Sequence, residues 1–265
     1  MNPTAFPELN AVLAQLVAGL RARLGDQLVG VYLQGSFALG DADEHSDVDS
    51  LVVIERELTE DEQHELRALH ERLFQLPSHW AQHLEGSYVP RDRLRRPDPK
   101  REPWFYFDNG ATEPIWDNHD NSAVVRWSLR EHGIVLEGPN PTMLVDSVSG
   151  DELRREVRWV IDDFGDWLRA REMWSARLQT LAVISYCGIL HTLETGAVAS
   201  KRESGEWARE TLDAEWRDLI QRALDDRPDP WSKVREAADP GLVRQTLDFV
   251  DYAARRSRET PSAAR

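Results

Sequence analysis

Two short groups of residues near the N-terminus have side chains suited to phosphate and metal chemistry. Gly35-Ser36 is followed, after ten intervening residues, by Asp47-Val48-Asp49. Gly35 lets the backbone approach a phosphate, and the Ser36 hydroxyl can donate a hydrogen bond to a phosphate oxygen. Asp47 and Asp49 are two positions apart, so on an extended strand both carboxylates point to one side and can share hard cations. The pattern predicts a site for phosphate and divalent metal.

The close pair of carboxylates needs a counter-ion, because two like charges at this distance repel each other. Two Mg²⁺ ions, partly ligated by a nucleoside triphosphate, would remove that repulsion and align an attacking oxygen with the α-phosphate. We therefore expect Asp47 and Asp49 to hold two Mg²⁺ ions. Ser46 directly precedes the pair and is predicted to contact the nucleotide together with Gly35 and Ser36. The alternative is that the Asp-rich segment only caps a helix or forms a solvated loop.

The elements around these residues follow from apolar spacing. Apolar residues at helical intervals over 9–24 predict a helix, and the apolar runs 28–33 and 48–54 predict buried strands on either side of the motif. Thr59, with Glu62 three positions later, predicts a capped helix that ends at residue 76. Further predictions are a strand over 83–89, a helix over 118–133 and a short strand over 134–136.

The pattern changes near residue 145. Helical spacing then dominates, over 153–168, 177–193, 212–224 and 242–252. The predicted fold is therefore an α/β N-terminal domain, with a small mixed sheet and flanking helices, followed by an all-α helical bundle. We place the domains at 1–145 and 146–255, and the tail 256–265 is expected to fray because it lacks apolar anchors.

The Gly-Ser pair and the Asp-x-Asp pair, with a strand signal on either side, resemble the signature of the nucleotidyltransferase superfamily typified by DNA polymerase β. The resemblance implies a third carboxylate from the next strand, acting as a metal ligand or as the base that accepts a proton from the acceptor hydroxyl. Glu85, within the strand predicted over 83–89, is the candidate. The alternative for Glu85 is an ordinary exposed strand residue.

Nearly the whole chain, residues 10 to 250, resembles the aminoglycoside adenylyltransferases that act on streptomycin and spectinomycin. The match is strongest over 35–53, and a second match covers 192–207 with the sequence TLETGAVASKRESGEW. The resemblance implies ATP as the donor of AMP and places Lys201 against the triphosphate. A lone ammonium from a second domain can screen phosphate charge. The alternative is that Lys201 is an ordinary surface lysine.

Two departures from that family bear on the acceptor. Gly188 stands where the drug-modifying members have an arginine, and Glu172 is the acidic residue near the place where they have several aspartates. The polar cluster 116–121 either lines the acceptor pocket, through Trp116 and His119, or only caps the helix that follows. If it is functional, His119 is expected to orient Glu85 or the acceptor, because Mg²⁺ prefers oxygen ligands.

The composition narrows the partners. A net charge of −15 disfavours nucleic acid and favours a small cationic, hydroxylated acceptor, although an acidic surface also serves solubility alone. The single cysteine excludes an internal disulfide framework. Without an apolar span or a signal pattern, we expect no membrane association and a cytoplasmic location. The expected oligomeric state is a monomer or weak homodimer. The aromatic run 104–107 is expected to pack in the core, with stacking on a base or sugar as the alternative.

The leading hypothesis is Mg²⁺-dependent transfer of AMP from ATP to a hydroxyl of an aminoglycoside-like molecule. In it, Glu85, Asp47 and Asp49 are catalytic and hold the metal, Lys201 contacts the nucleotide, and Glu172 contacts the acceptor. Two alternatives stay open. One is adenylylation of a protein or of another metabolite, and the other is a protein that binds nucleotide without turnover.

Overall fold

A computed structural model describes residues 2–259 of the chain. Within this range the chain forms two compact units, one of residues 2–42 and 46–147 and the other of residues 43–45 and 148–259. Each unit has its own core and is described separately below. The domain limits predicted from the sequence, 1–145 and 146–255, remain a prediction. In the described chain no helix is long and apolar enough to cross a membrane.

The first unit contains a six-stranded mixed sheet. Its strands are β1 (Leu28–Leu33), β2 (Val48–Ile54), β3 (Leu84–Pro90), β4 (Trp104–Phe107), β5 (Ile115–Asp117) and β6 (Ile134–Glu137). Its helices are α1 (Pro7–Leu24), α2 (Gly35–Ala38), α3 (Glu60–Phe74), α4 (Arg91–Leu94) and α5 (Ala123–His132). Short 3-10 turns lie at Gly25–Gln27, His79–His83 and Pro141–Met143.

The strand order is β5-β4-β3-β2-β1-β6, and this order places the motif strands at the centre. β2 and β3 are parallel, whereas the other neighbouring pairs are antiparallel. The parallel register pairs Asp49 directly with Glu85. The sheet therefore brings together two carboxylates that are far apart in the sequence.

Alternation along the central strands divides their side chains between the two faces of the sheet. Val31, Leu33 and Val52 join the apolar cluster formed with α1 and α3. Tyr32 and Leu51, one position away, join a second cluster that includes residues of α4 and α5. Burial on both faces explains why β1 and β2 read as nearly continuous apolar runs.

The second unit is a helical bundle. Its helices are α6 (Gly150–Arg169), α7 (Ala176–Thr195), α8 (Lys201–Thr211), α9 (Arg217–Asp226) and α10 (Pro240–Glu259), with 3-10 turns at Ala214–Trp216 and Pro230–Lys233. The central helix is α7, which contacts the other four. Its Tyr186 hydroxyl donates to the carbonyl of Ile161 at 2.7 Å. The segment 43–45 belongs to this unit and is held by the indole of Trp231, which donates to the carbonyl of His45 at 2.9 Å.

The predicted fold class is confirmed, and β1 and β2 have the predicted bounds. Thr59 and Glu62 form the predicted capping box at the start of α3. The helix predicted from residue 118 was wrong at its start, because Ser122 caps α5 by accepting from the Val125 amide.

Two further expectations about the helical region differ from the structure. Helix α8 was missed, because its sequence is mostly polar and its buried face consists of the small residues Ser204, Gly205 and Ala208. The tail expected to fray from residue 256 is helical to Glu259, and Ser257 is buried. The rest of that expectation, for 260–265, lies outside the described residues.

Candidate active site

Three carboxylates converge at one end of the parallel strand pair. Asp47 lies just before β2, Asp49 is the second residue of β2, and Glu85 is the second residue of β3. One oxygen from each of them lies within 4.8 Å of the others, and all three residues are partly buried. The sequence predicted this juxtaposition on the assumption that Glu85 follows the motif on the next strand.

The chemistry of the three donors fits Mg²⁺. Every ligand atom in the group is a carboxylate oxygen, which hard divalent cations prefer, and no thiolate or imidazole belongs to it. Partial burial leaves the oxygens accessible to an ion that also ligates phosphate. The residues present therefore fit the metal that the sequence predicts.

Gly35 begins α2 immediately beside this group. Its backbone is left-handed, with φ of +58°, and a Cβ at this position would lie 1.9 Å from Oδ2 of Asp49. The amide of Gln34, one residue earlier, donates to the carbonyl of Asp49 at 3.0 Å. The absence of a side chain at residue 35 is thus required by Asp49 itself, a reason that the sequence did not reveal.

Ser36 has a buried hydroxyl oxygen with no hydrogen-bond partner among the described residues. A buried polar group without a partner costs free energy, and such groups are rare. The next residue, Phe37, points into the apolar cluster beneath α2. The structure therefore leaves the Ser36 oxygen available to a ligand, as a phosphate contact would require.

Glu85 is held by the strand beyond it. The Tyr106 hydroxyl, on β4, donates to Oε1 of Glu85 at 2.5 Å and lies 3.2 Å from Oδ1 of Asp108. Nε2 of His119 lies 3.7 Å from the same Oε1. Burial raises the pKa of Tyr106, and the charge of Glu85 adds to that increase, so the phenol keeps its proton.

His119 lies among three carboxylates. Its Nδ1 is 2.6 Å from Oδ1 of Asp117, and its Nε2 is 3.5 Å from Oδ1 of Asp120 and 3.7 Å from Oε1 of Glu85. Partial burial lowers the pKa of His119, but the nearby carboxylates of Glu85, Asp120 and Asp117 outweigh it, raising the pKa to about 10. The expected proximity of His119 to Glu85 is present.

Asp120 is buried and joins three segments of the first unit. Its Oδ2 accepts from the Ser87 hydroxyl at 2.7 Å and from the side-chain amide of Gln34 at 3.3 Å. Burial raises the pKa of this carboxyl, and the charge of Glu85 adds to the increase. The loop after β5 is therefore fastened to β3 and to the residue before Gly35.

Family models match both parts of the chain. The model of the nucleotidyltransferase domain matches residues 13–106, and the model of the aminoglycoside adenylyltransferase C-terminal domain matches residues 143–252. This chain belongs to the nucleotidyltransferase superfamily. Within it, the chain has the two-domain composition of the aminoglycoside adenylyltransferases.

Curated relatives agree with that composition. A spectinomycin 9-adenylyltransferase of Staphylococcus aureus (strain Mu50 / ATCC 700699) is 28% identical over 213 residues, which cover 75% of this chain and 77% of the relative. An aminoglycoside (3'') (9) adenylyltransferase of Shigella flexneri is 27% identical over 268 residues, which cover 95% of this chain and 96% of the relative. The similarity therefore extends across both units.

A solved structure has the same fold. It is the crystal structure of a spectinomycin adenyltransferase from Enterococcus faecialis with ATP and spectinomycin, which superimposes with a TM-score of 0.71. The alignment covers 92% of this chain and 98% of that chain, at 16% sequence identity. At this level of identity the likeness shows the fold alone.

The remaining predicted site residues of this nucleotidyltransferase are placed as follows. Lys201 is the exposed first residue of α8, directly after the cap Ser200. Glu172 is exposed in the turn between α6 and α7. Gly188 lies within α7, where an added Cβ would meet only the Ser204 hydroxyl, at 3.7 Å, so packing does not require glycine there. These residues belong to the second unit, and their roles stay predictions.

Two further predicted residues belong to the first unit. Ser46 lies between the segment 43–45 and Asp47, and it is partly buried. Trp116 lies on the edge strand β5, is 50% exposed, and packs its ring edge-on against Phe105. The structure places Trp116 on the same strand as Asp117, the partner of His119. Contacts of Ser46 and Trp116 with ligands stay predictions.

Sequence reasoning missed two residues of the site. Tyr106 was assigned to core packing, and it is buried, but its hydroxyl reaches Glu85. Asp120 was treated as one of several capping or pocket residues, whereas its carboxylate is buried against Gln34 and Ser87. The one available signal was the density of polar residues after β5, which does not show which of them turns inward.

Proposed function

We propose that this protein transfers the AMP group of ATP to a hydroxyl group of an aminoglycoside-like small molecule. The observation that carries the proposal is the convergence of Asp47, Asp49 and Glu85 beside Gly35 and the unsatisfied hydroxyl of Ser36. The named activities of the relatives, which the chain matches over most of its length, support the choice of donor and acceptor.

In the proposed reaction the acceptor oxygen forms a bond to the α-phosphorus of ATP. The bond from that phosphorus to the oxygen bridging to the β-phosphate breaks, and pyrophosphate leaves with the bonding electrons. The proton of the acceptor hydroxyl passes to Glu85, which we assign as the general base. Because the hydroxyl of a sugar or cyclitol is a weak nucleophile, removing this proton during attack increases the rate.

Asp47, Asp49 and Glu85 would hold two Mg²⁺ ions. When bound, Mg²⁺ neutralises charge on the triphosphate and on the leaving pyrophosphate. Ser36 donates its hydroxyl to a phosphate oxygen, which would satisfy the group left without a partner in the structure. Ser46, next to the acidic pair, is proposed to contact the nucleotide as well. These residues bind and orient the donor before the bond to phosphorus forms.

Lys201 is proposed to neutralise the outer phosphates of ATP. Its ammonium is exposed at the start of α8, at a helix end where a positive charge is locally unfavourable. The helix therefore gains no stability from this lysine, and an anionic ligand is its proposed partner.

The acceptor is proposed to be a small, cationic, hydroxylated molecule. The net charge of −15 would attract it, and Trp116, His119 and Glu172 are the residues proposed to contact it. The second candidate is an acceptor of another class, either a protein or a different metabolite. The glycine at residue 188 and the single acidic residue at 172 favour this second candidate, because both depart from the drug-modifying pattern.

The test is release of pyrophosphate from ATP and Mg²⁺ against a panel of spectinomycin, streptomycin and other aminoglycosides, with α-labelled ATP to detect the product. Asp47→Ala and Asp49→Ala are the inactive variants. Asp26→Ala removes an exposed carboxylate from the turn that precedes β1, at the opposite end of this strand from Gly35, and is the matched control. Circular dichroism verifies that each variant folds.

Turnover with one drug, abolished in the two site variants and kept in Asp26→Ala, supports the proposal. A labelled protein band, or a labelled metabolite from a cell extract, selects the second candidate. ATP binding without pyrophosphate release under every condition contradicts enzymatic function and leaves a nucleotide-binding protein.

A further inference from the structure

Two side chains approach the Glu85 carboxylate, one from β4 and one from the loop after β5. Both of them approach the same oxygen. The Tyr106 hydroxyl lies 2.5 Å from Oε1, and Nε2 of His119 lies 3.7 Å from that same atom. A carboxylate has two oxygens with about four lone-pair sites. The arrangement therefore engages Oε1 and distinguishes it from Oε2.

Tyr106 has one hydroxyl proton and two neighbouring carboxylates. Oε1 of Glu85 is 2.5 Å away, within the range of a short hydrogen bond to an ionised acceptor, whereas Oδ1 of Asp108 is 3.2 Å away. Oδ1 of Asp108 also accepts from the backbone amide of Asn109 at 2.8 Å. The proton therefore belongs to the bond with Glu85.

The backbone determines where the Tyr106 hydroxyl lies. Tyr106 is paired with Ser87 on one side and with Ile115 on the other, so its strand is held by a ladder on both edges. Its side chain is buried, with 4% exposure. A group fixed in this way loses little further entropy when it holds a neighbour, which is the requirement for a positioning residue.

His119 completes the support of Oε1. Its ring packs against the Tyr106 ring at 4.5 Å between centroids, with the planes at 74°. The bond from its Nδ1 to Asp117 sets the ring orientation, which directs Nε2 toward Oε1 of Glu85 and Oδ1 of Asp120. Two side chains from different segments thus restrict the rotation of the Glu85 carboxylate.

We propose that Tyr106, assisted by His119, is a positioning residue that holds Oε1 of Glu85 so that Oε2 accepts the proton of the acceptor hydroxyl. The inference rests on the proposed nucleotidyl transfer. In that step the O–H bond of the acceptor breaks, its proton moves to Oε2, and its oxygen bonds to the α-phosphorus as pyrophosphate leaves. Tyr106 keeps its own proton throughout.

The first arm of the test compares Tyr106→Phe with Tyr32→Phe. Both variants lose one buried phenol hydroxyl from the same sheet, since the Tyr32 hydroxyl donates to the carbonyl of Pro139 at 2.8 Å. Tyr106→Phe is expected to lower kcat by about tenfold to a hundredfold and to change KM for ATP much less, because the base is displaced while Asp47 and Asp49 still hold the metal. Tyr32→Phe is expected to keep the wild-type kcat. Wild-type kcat in a folded Tyr106→Phe variant overturns the inference.

The second arm does not depend on turnover. Carbon-13 NMR of protein labelled at glutamate carboxyls gives the Glu85 signal, assigned with Glu85→Gln. The signal is expected to move in Tyr106→Phe and to stay in place in Tyr32→Phe. An unchanged signal in Tyr106→Phe overturns the inference, whatever the kinetics show. If the wild type modifies no acceptor but the signal moves as expected, the proposed function fails and the support of Glu85 stands.

His119 is tested by graded replacement. Gln can place an amide near the position of Nε2, Asn can place one near Nδ1, and Ala removes both. We expect kcat to fall in the order Gln, Asn, Ala, with KM for ATP again little changed. Equal kcat in the wild type and His119→Ala would show that Tyr106 alone positions Glu85, and it contradicts the assisting role.

Discussion

Gly35 and Asp49 approach so closely that a Cβ on Gly35 would lie 1.9 Å from Oδ2 of Asp49. Real atoms do not approach to this distance, so either the α2 turn or the carboxylate would have to move. The left-handed backbone at Gly35, with φ of +58°, adds a second reason for glycine. Gly35 thus links the α2 turn, which is proposed to contact phosphate, to the position of Asp49, a proposed metal ligand.

Gly35→Ala is expected to lower turnover by about a hundredfold or more, because a displacement of about 1 Å at a reacting group has an effect of that size. Gly25→Ala is the matched control. Gly25 has φ of +51° with nothing within 4 Å of an added Cβ. Both variants should lose about 1–3 kcal/mol of unfolding free energy because alanine is strained at a positive φ, and Gly35→Ala should lose more because of its clash with Asp49. Kinetics and chemical denaturation measure the two effects, and full activity in Gly35→Ala contradicts the relationship.

Ser36→Ala is expected to weaken ATP binding without lowering stability, because the hydroxyl has no partner among the described residues. The loss should be about fivefold to tenfold in Kd, the value of one hydrogen bond. Thr59→Ala is the contrasting variant. Thr59 caps α3 by accepting from the Glu62 amide, so its loss should cost about 1 kcal/mol of stability and leave ATP affinity unchanged. Calorimetry and thermal unfolding separate the outcomes, and destabilisation by Ser36→Ala would show that its hydroxyl is structural.

Removing Mg²⁺ should destabilise the wild type, because three carboxylates within 4.8 Å repel each other without a cation. Asp47→Asn is expected to raise Tm in EDTA by about 2–4 °C, corresponding to about 1 kcal/mol, and to lose the increase that Mg²⁺ produces in the wild type. Asp26→Asn, in an exposed turn, should behave like the wild type. Scanning fluorimetry with EDTA and with Mg²⁺ provides the comparison. An unchanged response of Asp47→Asn to Mg²⁺ would place the ion elsewhere.

Much of the fold could be predicted from the sequence because local sequence preferences and tertiary packing favour the same structure. β1 and β2 are short apolar runs bounded by polar residues, and both are buried on two faces. The capping box of α3 combines a threonine with a glutamate three positions later, a local interaction that needs no partner elsewhere. The prediction that the Asp47 and Asp49 carboxylates lie on the same side of the strand follows from strand periodicity alone.

The rest of the site depends on register, which spacing does not reveal. Glu85 lies opposite Asp49 only because β2 and β3 pair in parallel in that register. Tyr106 reaches Glu85 because β4 pairs with β3, and a shift of one residue would turn its hydroxyl to the other face. Asp120 is buried because Ser87 and Gln34 satisfy its oxygen, and neither is near it in sequence. Because these partners are distant in the sequence, spacing alone did not show that residues 118–121 form a loop, and they were interpreted as the start of a helix.

Lys201→Ala is expected to raise KM for ATP by about tenfold to a hundredfold, the value of a hydrogen bond to a charged group. Because Lys201 is at the start of α8, its removal should also leave stability unchanged or increase it by about 0.3–1 kcal/mol. Lys100→Ala, at another exposed position, is the control and should change neither quantity. Steady-state kinetics and denaturation measure both. A loss of stability with unchanged KM would assign Lys201 to the helix rather than to ATP.

His70 is expected to make stability depend on pH. It is buried, its Nε2 lies 2.8 Å from the Tyr88 hydroxyl, and its ring stacks on Phe107 at 3.6 Å. Burial lowers the pKa of His70 from 6.5 to about 3. Below pH 6.5 the unfolded chain therefore binds a proton that the folded chain does not. Proton binding therefore stabilises the unfolded state as the pH falls from 6.5 toward 3, and the unfolding free energy decreases by up to about 1.4 kcal/mol per pH unit. Above pH 6.5 this loss is absent.

His70→Gln removes that titration, so its unfolding free energy should fall less steeply between pH 6.5 and pH 4 than that of the wild type. The variant should be less stable than the wild type near pH 8, where the stacking on Phe107 is lost, and the difference should shrink or reverse as the pH falls. His64→Gln makes the same substitution on the exposed side of the same helix and is the control. Urea unfolding at several pH values gives the slopes. Parallel slopes for the wild type and His70→Gln would mean that His70 takes up its proton in the folded protein, either within the core or by local opening of α3.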